Sequence, residues 1–476
     1  MKHQEKLENI MSYIQDKGFY MGSSYIIVGD YSEVPIDANS KVTMKMPEKK
    51  CYEPVLLFTT LTSLMKRGSL LYRGAPGTGK TTVAEYVGHF IHNVPIEDIL
   101  NSEIHGNPEQ TEEKMIARLH TGKLVKDGEE EVRWRNFCTC PVHIIDEVNR
   151  LPADKSDMLY HAVDRGIVKY MDYIFHMTEG PIFATANYQD AGNFVMTPPF
   201  VDRFGAAVKV PIPDQLTQWQ IADRGELTKA LDLAAELKLS KEDLEKIRKE
   251  IAAIPFEKEA RNYIHYLMSQ INFCMRGSSQ EFNPSAIAFM NKGSCEYKQP
   301  DALCKSPAEC KYYMDTMACR LTKNELSVRS VLATYDYCRA LAWFLGEDKV
   351  TTETVKTIVP YTTFHKLEPT ATAQAISPGI VNDRLGLIGL IMKTSEEGFK
   401  RAIAKDGIFE NYGAIVNAFE KVEKGEMPAE DFVNKVEVHG LQEISGHDDP
   451  IKYSLACWLQ KIHHYVATKY KIKRKK

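Results

Sequence analysis

The sequence predicts an α/β protein: a parallel β-sheet sandwiched between helices in the first half of the chain, followed by helices alone. Three observations lead there. From Tyr52 to about Pro213, short apolar runs alternate with helical patterns, as in a succession of βαβ units. The runs are Leu70-Leu71-Tyr72, Val142-His143-Ile144-Ile145 and Ile182-Phe183-Ala184-Thr185-Ala186. The first opens into a Gly-rich loop and then at once into a helix, Thr81–His92. Beyond Pro213 the β signal disappears, and Leu216–Ile254 and Phe256–Phe273 carry apolar residues at helical spacing.

A chain of 476 residues exceeds what one hydrophobic core supports and implies two to four domains. The linear order suggests an N-terminal segment, 1–50, an α/β domain, 51–213, and a helical region, 214–366, with a Cys-rich insert at about 275–325. A helical C-terminal domain, 367–476, ends in the basic run Lys469–Lys476, which reads as a frayed, solvated end. The N-terminal segment opens on an amphipathic helix with Leu7, Ile10, Met11 and Ile14 on one face, and then a β-like piece, Tyr25–Asp30. No internal repeat is present.

Composition is that of an ordinary globular protein, 43% hydrophobic and 26% charged. A net charge of −4 exerts no general pull on nucleic acid. The N-terminus has no apolar core of a signal peptide, and no run of apolar residues is long enough to span a bilayer. A cytoplasmic location is therefore expected. In that reducing compartment ten cysteines argue against a disulfide framework.

Gly74-Ala75-Pro76-Gly77-Thr78-Gly79-Lys80-Thr81 satisfies G-x-x-x-x-G-K-[ST], with a strand before it and a helix after it. Such glycines let successive backbone N–H groups curl around phosphates at the positive end of a helix. Lys80 would reach the β- and γ-phosphates of ATP, and Thr81 would ligate Mg²⁺; Thr82 completes the loop-to-helix turn.

About sixty residues on, an apolar strand ends in two acids, Asp146-Glu147. At the carboxyl end of a parallel strand beside a phosphate-binding loop, Asp146 can hold Mg²⁺ through water. Glu147 is then placed to polarise the water that attacks the γ-phosphate. The strand Ile182–Ala186 ends on Asn187. With this spacing it lies between the other two strands, so that Asn187 orients the water or touches the γ-phosphate; the alternative is a turn-forming Asn that starts a loop. Asp202-Arg203-Phe204 follows, and much later Leu326-Ser327-Val328-Arg329-Ser330 stands at a helix start.

These motifs, in this order, resemble the MoxR-type AAA+ ATPases. The stretch Asp146-Glu147-Val148-Asn149-Arg150-Leu151-Pro152, continuing to Asp164-Arg165-Gly166, is similar to that family's acidic-pair region. The Asp202-Arg203-Phe204 motif and the closing helix Val350-Thr351-Thr352-Glu353-Thr354-Val355 look like it too. The likeness covers roughly 52–213 and 327–366. It implies an AAA+ αβα domain with a helical lid, ATP hydrolysis, and a ring, usually a hexamer. Arg203 becomes an arginine finger that completes a neighbour's site, and Arg329 the arginine that the lid contributes. It also implies two insertions facing a central pore, one from Glu103-Ile104-His105-Gly106 through Arg135, the other the hairpin Val168–Asp172 paired with Tyr173–Thr178. Relatives of this type remodel client proteins, often with a von Willebrand A domain partner. The rival reading is a nucleic-acid motor like the MCM helicases, which share the hairpins; against it, Val168–Thr178 offers only Lys169 as a base, where tracking phosphates favours several.

About fifty residues separate Cys274 from the helix at Ser327, carrying Cys295, Cys304, Cys310 and Cys319. A segment so poor in aliphatic residues needs a staple, and four thiolates suit either Zn²⁺ or a [4Fe–4S] cluster. The alternative is ordinary packing thiols, as for Cys51, Cys138, Cys140 and Cys457. No Ser/His/Asp or His-Glu-x-x-His constellation suggests a second activity.

Overall fold

The computed structural model describes residues 2–20, 22, 26–27, 31–35, 43–47, 51–187, 194–223, 233, 235–272, 318–381, 383–406, 408–439 and 462–472. They form two compact units, one of Met1–Pro255 with Leu332–His365, the other of Phe256–Val331 with Lys366–Lys476.

The first unit is built on a parallel sheet of five strands. In chain order these are β1 (Ser69–Gly74), β2 (Ile104–His105), β3 (His143–Asp146), β4 (Ile182–Ala186) and β5 (Ala206–Val210). Their order across the sheet is β5-β1-β4-β3-β2. The strand that ends at Asn187 thus lies between the loop strand and the acidic strand, as the sequence implied. Every residue of β4 is buried, which is why it reads as an unbroken apolar run: helices cover both faces of a parallel sheet.

Helix α1 (His3–Asp16) buries Leu7, Ile10, Met11 and Ile14, the face expected from sequence. Helix α2 (Pro54–Leu64) starts with Pro54 at its first position and is capped by Glu53, whose carboxylate accepts from Leu56 N at 2.7 Å. Every one of its residues is buried. Its hydroxyls survive burial by bonding backward to the preceding turn, Thr59 to Val55 O, Thr62 to Phe58 O and Ser63 to Thr59 O. Helix α3 (Lys80–His92) carries an aromatic face against the N-terminus, where Phe19 stacks on Tyr86 at 4.1 Å and Tyr13 meets Phe90 edge-on at 5.4 Å.

One expected element divides. The stretch Leu216–Ile254 reads as a single helix by periodicity, but the structure holds a helix Gln215–Asp223, a 3₁₀ turn Ala235–Leu237 and a helix Lys241–Ala253. The last begins at a capping box, Asp243 N donating to Ser240 Oγ at 3.0 Å and Ser240 N to Asp243 Oδ2 at 2.9 Å. That reciprocal pair fixes a helix start.

Both stretches expected as insertions contain an antiparallel strand pair. Ala117–Leu119 pairs antiparallel with Val132–Trp134 around the helix Thr121–Asp127, and Ile167–Tyr170 pairs with Tyr173–His176. Trp134 of the first stacks on Phe175 of the second, with ring centroids 4.7 Å apart.

The second unit is helical where the sequence indicated helix, with Lys258–Asn272, Arg384–Asp406, Ile408–Glu423 and Ala429–His439. Tyr263 packs edge-on to Phe399 at 5.2 Å, and Arg261 pairs with Glu420. Among the described residues no helix is long and apolar enough to cross a membrane.

Candidate active site

The loop between β1 and α3 needs its glycines. Gly77 and Gly79 have φ of +72° and +78°, a region that side chains avoid. Gly74 lies against β5, where a Cβ would stand 2.3 Å from Val210 O. Within this loop Lys80 is buried, and its Nζ donates to Gly74 O at 3.1 Å and Ala75 O at 2.5 Å. Burial lowers its pKa, and the nearby Asp146 and Glu147 work against that shift. Thr78 Oγ1 braces the loop by donating to Ala75 O at 2.9 Å. Pro76 is exposed and Thr82 half-buried on the first turn of α3.

Asp146 is where the strands converge. Its Oδ1 accepts from Thr81 Oγ1 and from Thr185 Oγ1, each at 2.7 Å. Oδ2 faces His105 Nδ1 at 3.7 Å, and its main-chain oxygen accepts from Gly106 N at 2.7 Å. A hydroxyl and a carboxylate side by side are the hard oxygen donors that Mg²⁺ prefers, so the donor set fits the ion.

Glu147 stands next, with φ 50° and ψ 45°. A non-glycine residue in that region costs about 1–2 kcal/mol, and such residues gather at functional sites. Thr185 Oγ1 holds it there by accepting from Glu147 N at 2.8 Å. The carboxylate itself is gripped twice: Asn187 Nδ2 donates to Oε1 at 2.7 Å, and Arg150 Nε lies 3.1 Å from Oε2. The structure therefore gathers Lys80, Thr81, Asp146, Glu147 and Asn187 into one cluster and adds Thr185 and Arg150 to it. Thr185 was hidden in the sequence because only strand register, with Thr185 opposite Tyr72 and Ala184 opposite Ile145, brings it level with Asp146 at the end of β3.

Arg203 is held elsewhere in the same unit. Its guanidinium lies 4.1 Å from the centroid of the Tyr160 ring, and Nη1 donates to Pro199 O. Tyr160 is itself fixed, its hydroxyl 2.7 Å from Thr197 Oγ1 and its ring stacked on Phe200 at 5.3 Å. Stacking holds a guanidinium flat without neutralising it. Arg329 is exposed in the first turn of the helix Val328–Leu345 and belongs to the second unit.

Of the four cysteines expected to bind metal, Cys319 is buried on a 3₁₀ turn, while Cys295, Cys304 and Cys310 lie outside the described residues, as does Cys274. Among the described residues no group of three or more His, Cys, Asp or Glu side chains is arranged to hold a metal ion. Cys138, Cys140 and Cys338 are buried packing thiols, and burial raises the pKa of each.

Behind Asp146 sits a second pair of acids, Glu85 on α3 and Glu103 beside β2. Burial, reinforced by Glu85, raises Glu103 to about 8; Glu85 is also raised, chiefly by burial. A carboxyl whose folded pKa exceeds its unfolded value binds its proton more tightly when folded. Its contribution is complete below the unfolded pKa and is lost as pH rises through the folded one. The metal-free, nucleotide-free protein is accordingly expected to lose thermal stability relative to Glu103→Gln as pH rises from about 5 to about 9. Scanning fluorimetry of both proteins checks this; parallel curves would contradict it.

Comparisons with known proteins agree with this geometry. Residues 69–204 match the AAA domain of the dynein-related subfamily, and residues 314–383 match an AAA lid domain. No curated protein matches the chain. A crystal structure of a protein from Cytophaga hutchinsonii, described as a candidate ATPase, shares the fold at 17% identity and a TM-score of 0.50; the match covers 81% of this chain and 94% of that one. With its phosphate loop, acidic pair and lid, the chain is an AAA+ protein that hydrolyses ATP.

Proposed function

We propose that this protein is a ring-forming AAA+ ATPase of the MoxR type that spends ATP on remodelling a client protein. The observation that carries the reading is the Glu147 carboxylate, held by Asn187 one residue beyond an aspartate that is hydrogen-bonded to Thr81. In this reading the loop Gly74–Thr81 cradles the phosphates and Lys80 exchanges its carbonyl partners for the β- and γ-phosphate oxygens. Thr81 and Asp146 would hold Mg²⁺, which when bound would offset negative charge on the phosphates. Glu147 polarises a water and accepts its proton. The water oxygen bonds to the γ-phosphorus while the bond to the β-phosphate oxygen breaks, giving ADP and phosphate. Asn187 fixes the Glu147 carboxylate, Arg203 offers its charge to a neighbouring subunit's γ-phosphate, and Arg329 is the arginine that the lid contributes.

The client follows from the hairpin Ile167–His176. Met171, Tyr173 and Ile174 are exposed on it, beside the Trp134–Phe175 stack that joins it to the other insertion. An apolar, aromatic tip suits extended polypeptide, whereas a phosphate backbone would want several bases where Lys169 stands alone. A hexamer and a von Willebrand A domain partner complete the proposal by resemblance.

Two outcomes test it. Lys80→Ala is expected to lose ATP binding, while Glu147→Gln binds ATP and turns over slower by about a hundredfold or more, since only water activation is removed. Calorimetric titration and phosphate release separate the two, and normal turnover by Glu147→Gln would refute its role. For Arg203, mixed assembly is decisive. Arg203→Ala and Lys80→Ala are each nearly inactive alone, yet an Arg203→Ala subunit keeps its own loop and borrows the arginine of a Lys80→Ala neighbour. Activity should recover at intermediate mixing ratios once subunit exchange is demonstrated; a flat curve would remove the finger.

A further inference from the structure

We infer that Asn149 is a positioning residue for hydrolysis: its side-chain amide clamps the backbone of Asn187 and thereby aims the Asn187 side chain at Glu147. The inference rests on the proposed role of Glu147 and goes beyond it. Asn149 follows the acidic pair by two residues, in the 3₁₀ turn Val148–Arg150, and is 5% exposed. Its Nδ2 donates to Asn187 O at 3.1 Å, and its Oδ1 accepts from Asn187 N at 3.3 Å. Only one orientation of the amide satisfies both bonds, because N–H must face oxygen on each side. Strand β4 ends at Ala186, so Asn187 has left the ladder that fixes its predecessors. The Asn149 amide supplies, from a side chain, the donor and acceptor that a neighbouring strand would have supplied.

The rest of the geometry shows why this matters. Asn187 Nδ2 reaches Glu147 Oε1 at 2.7 Å, and the Glu147 main-chain oxygen accepts from Arg150 N at 2.8 Å to close the turn that carries Asn149. The path is therefore a small closed circuit: Glu147 leads through its own backbone to Asn149, from there to the Asn187 backbone, and through the Asn187 side chain back to the Glu147 carboxylate. On the other side, the Asn149 main-chain oxygen accepts from Phe194 N at 2.7 Å, so the same residue anchors the chain on both sides of residues 188–193. A circuit of this kind restrains the carboxylate from several sides, and errors of about 1 Å at a reacting centre cost about a hundredfold in rate. Asn149 touches neither ATP nor water in this account. It acts through Asn187.

The test is a double-mutant cycle on the full chain, read as kcat and KM for ATP. Asn149→Ala is expected to lower kcat about ten- to a hundredfold while KM and the calorimetric affinity for ATP stay within about twofold. Asn149→Asp keeps the volume but places an acceptor where the donor was, so it should lose at least as much; it also serves if the alanine variant does not fold. Asn187→Ala should show a similar loss. The decisive reading is their combination, because residues that act through one another are not additive: Asn149→Ala with Asn187→Ala should be no slower than the slower single variant. Losses that multiply in the double variant, or an Asn149→Asp protein with unchanged kcat, would overturn the inference. Glu147→Gln run alongside distinguishes the failures: if it turns over normally the reading of the reaction is wrong, whereas if it is inactive and the losses still multiply, only the positioning role falls.

Discussion

One carboxylate oxygen ties the carboxyl end of the sheet together. Asp146 Oδ1 accepts at once from Thr81, at the start of α3, and from Thr185, at the end of β4. Those residues arrive from different βα units, so the bonds lock the phosphate loop, the acidic strand and the strand between them in one register. Bonds to an ionised acceptor are roughly twice as strong as neutral ones, and here two share one oxygen. The strand order β5-β1-β4-β3-β2 makes the meeting possible, because it sets β4 between the other two. A slip of one residue in β4 would turn Thr185 to the opposite face.

From that knot the rest of the site follows by short steps. Thr185 Oγ1 also receives Glu147 N, which pins a residue whose φ of 50° no ordinary strand would supply. The left-handed turn reverses the chain tightly enough for the next turn to bring Asn149 back alongside Asn187. Close approach is enforced from the other edge as well: a Cβ on Gly106 would stand 2.0 Å from Glu147 O, so β2 can reach the acidic strand only with glycine there. The strained backbone at Glu147 is thus supported by hydrogen bonds on one side and tight packing on the other.

Much of this was legible in the sequence, and the division is physical. The phosphate loop and the acidic pair are local patterns whose chemistry depends on neighbours a few residues away, so Gly74–Thr81 and Asp146-Glu147 could be read directly. Asn187 was legible because strand spacing alone placed it between them. Thr185, Arg150 and Tyr160 were not, since each acquires its partner through register or tertiary packing: Thr185 looks like one more β-branched strand residue, Arg150 like a solvated arginine, and Tyr160 like a helix aromatic until Arg203 is seen on its ring. The helix expected over Leu216–Ile254 failed for a local reason. Its apolar periodicity continues across a stop, and the Ser240–Asp243 capping box marks the restart.

Asp146 is the joint between the phosphate loop and the strand end that carries Glu147, and its proposed part in hydrolysis is open to a direct test. It is tested most directly by single-turnover ATP hydrolysis at saturating Mg²⁺, comparing Asp146→Asn with the unaltered protein. The amide keeps the size of the side chain but gives up the charge that both hydroxyls and the ion require. Turnover should fall by about a hundredfold or more while the variant remains folded and still binds nucleotide in the absence of Mg²⁺. Hydrolysis by Asp146→Asn at the rate of the unaltered protein would contradict it.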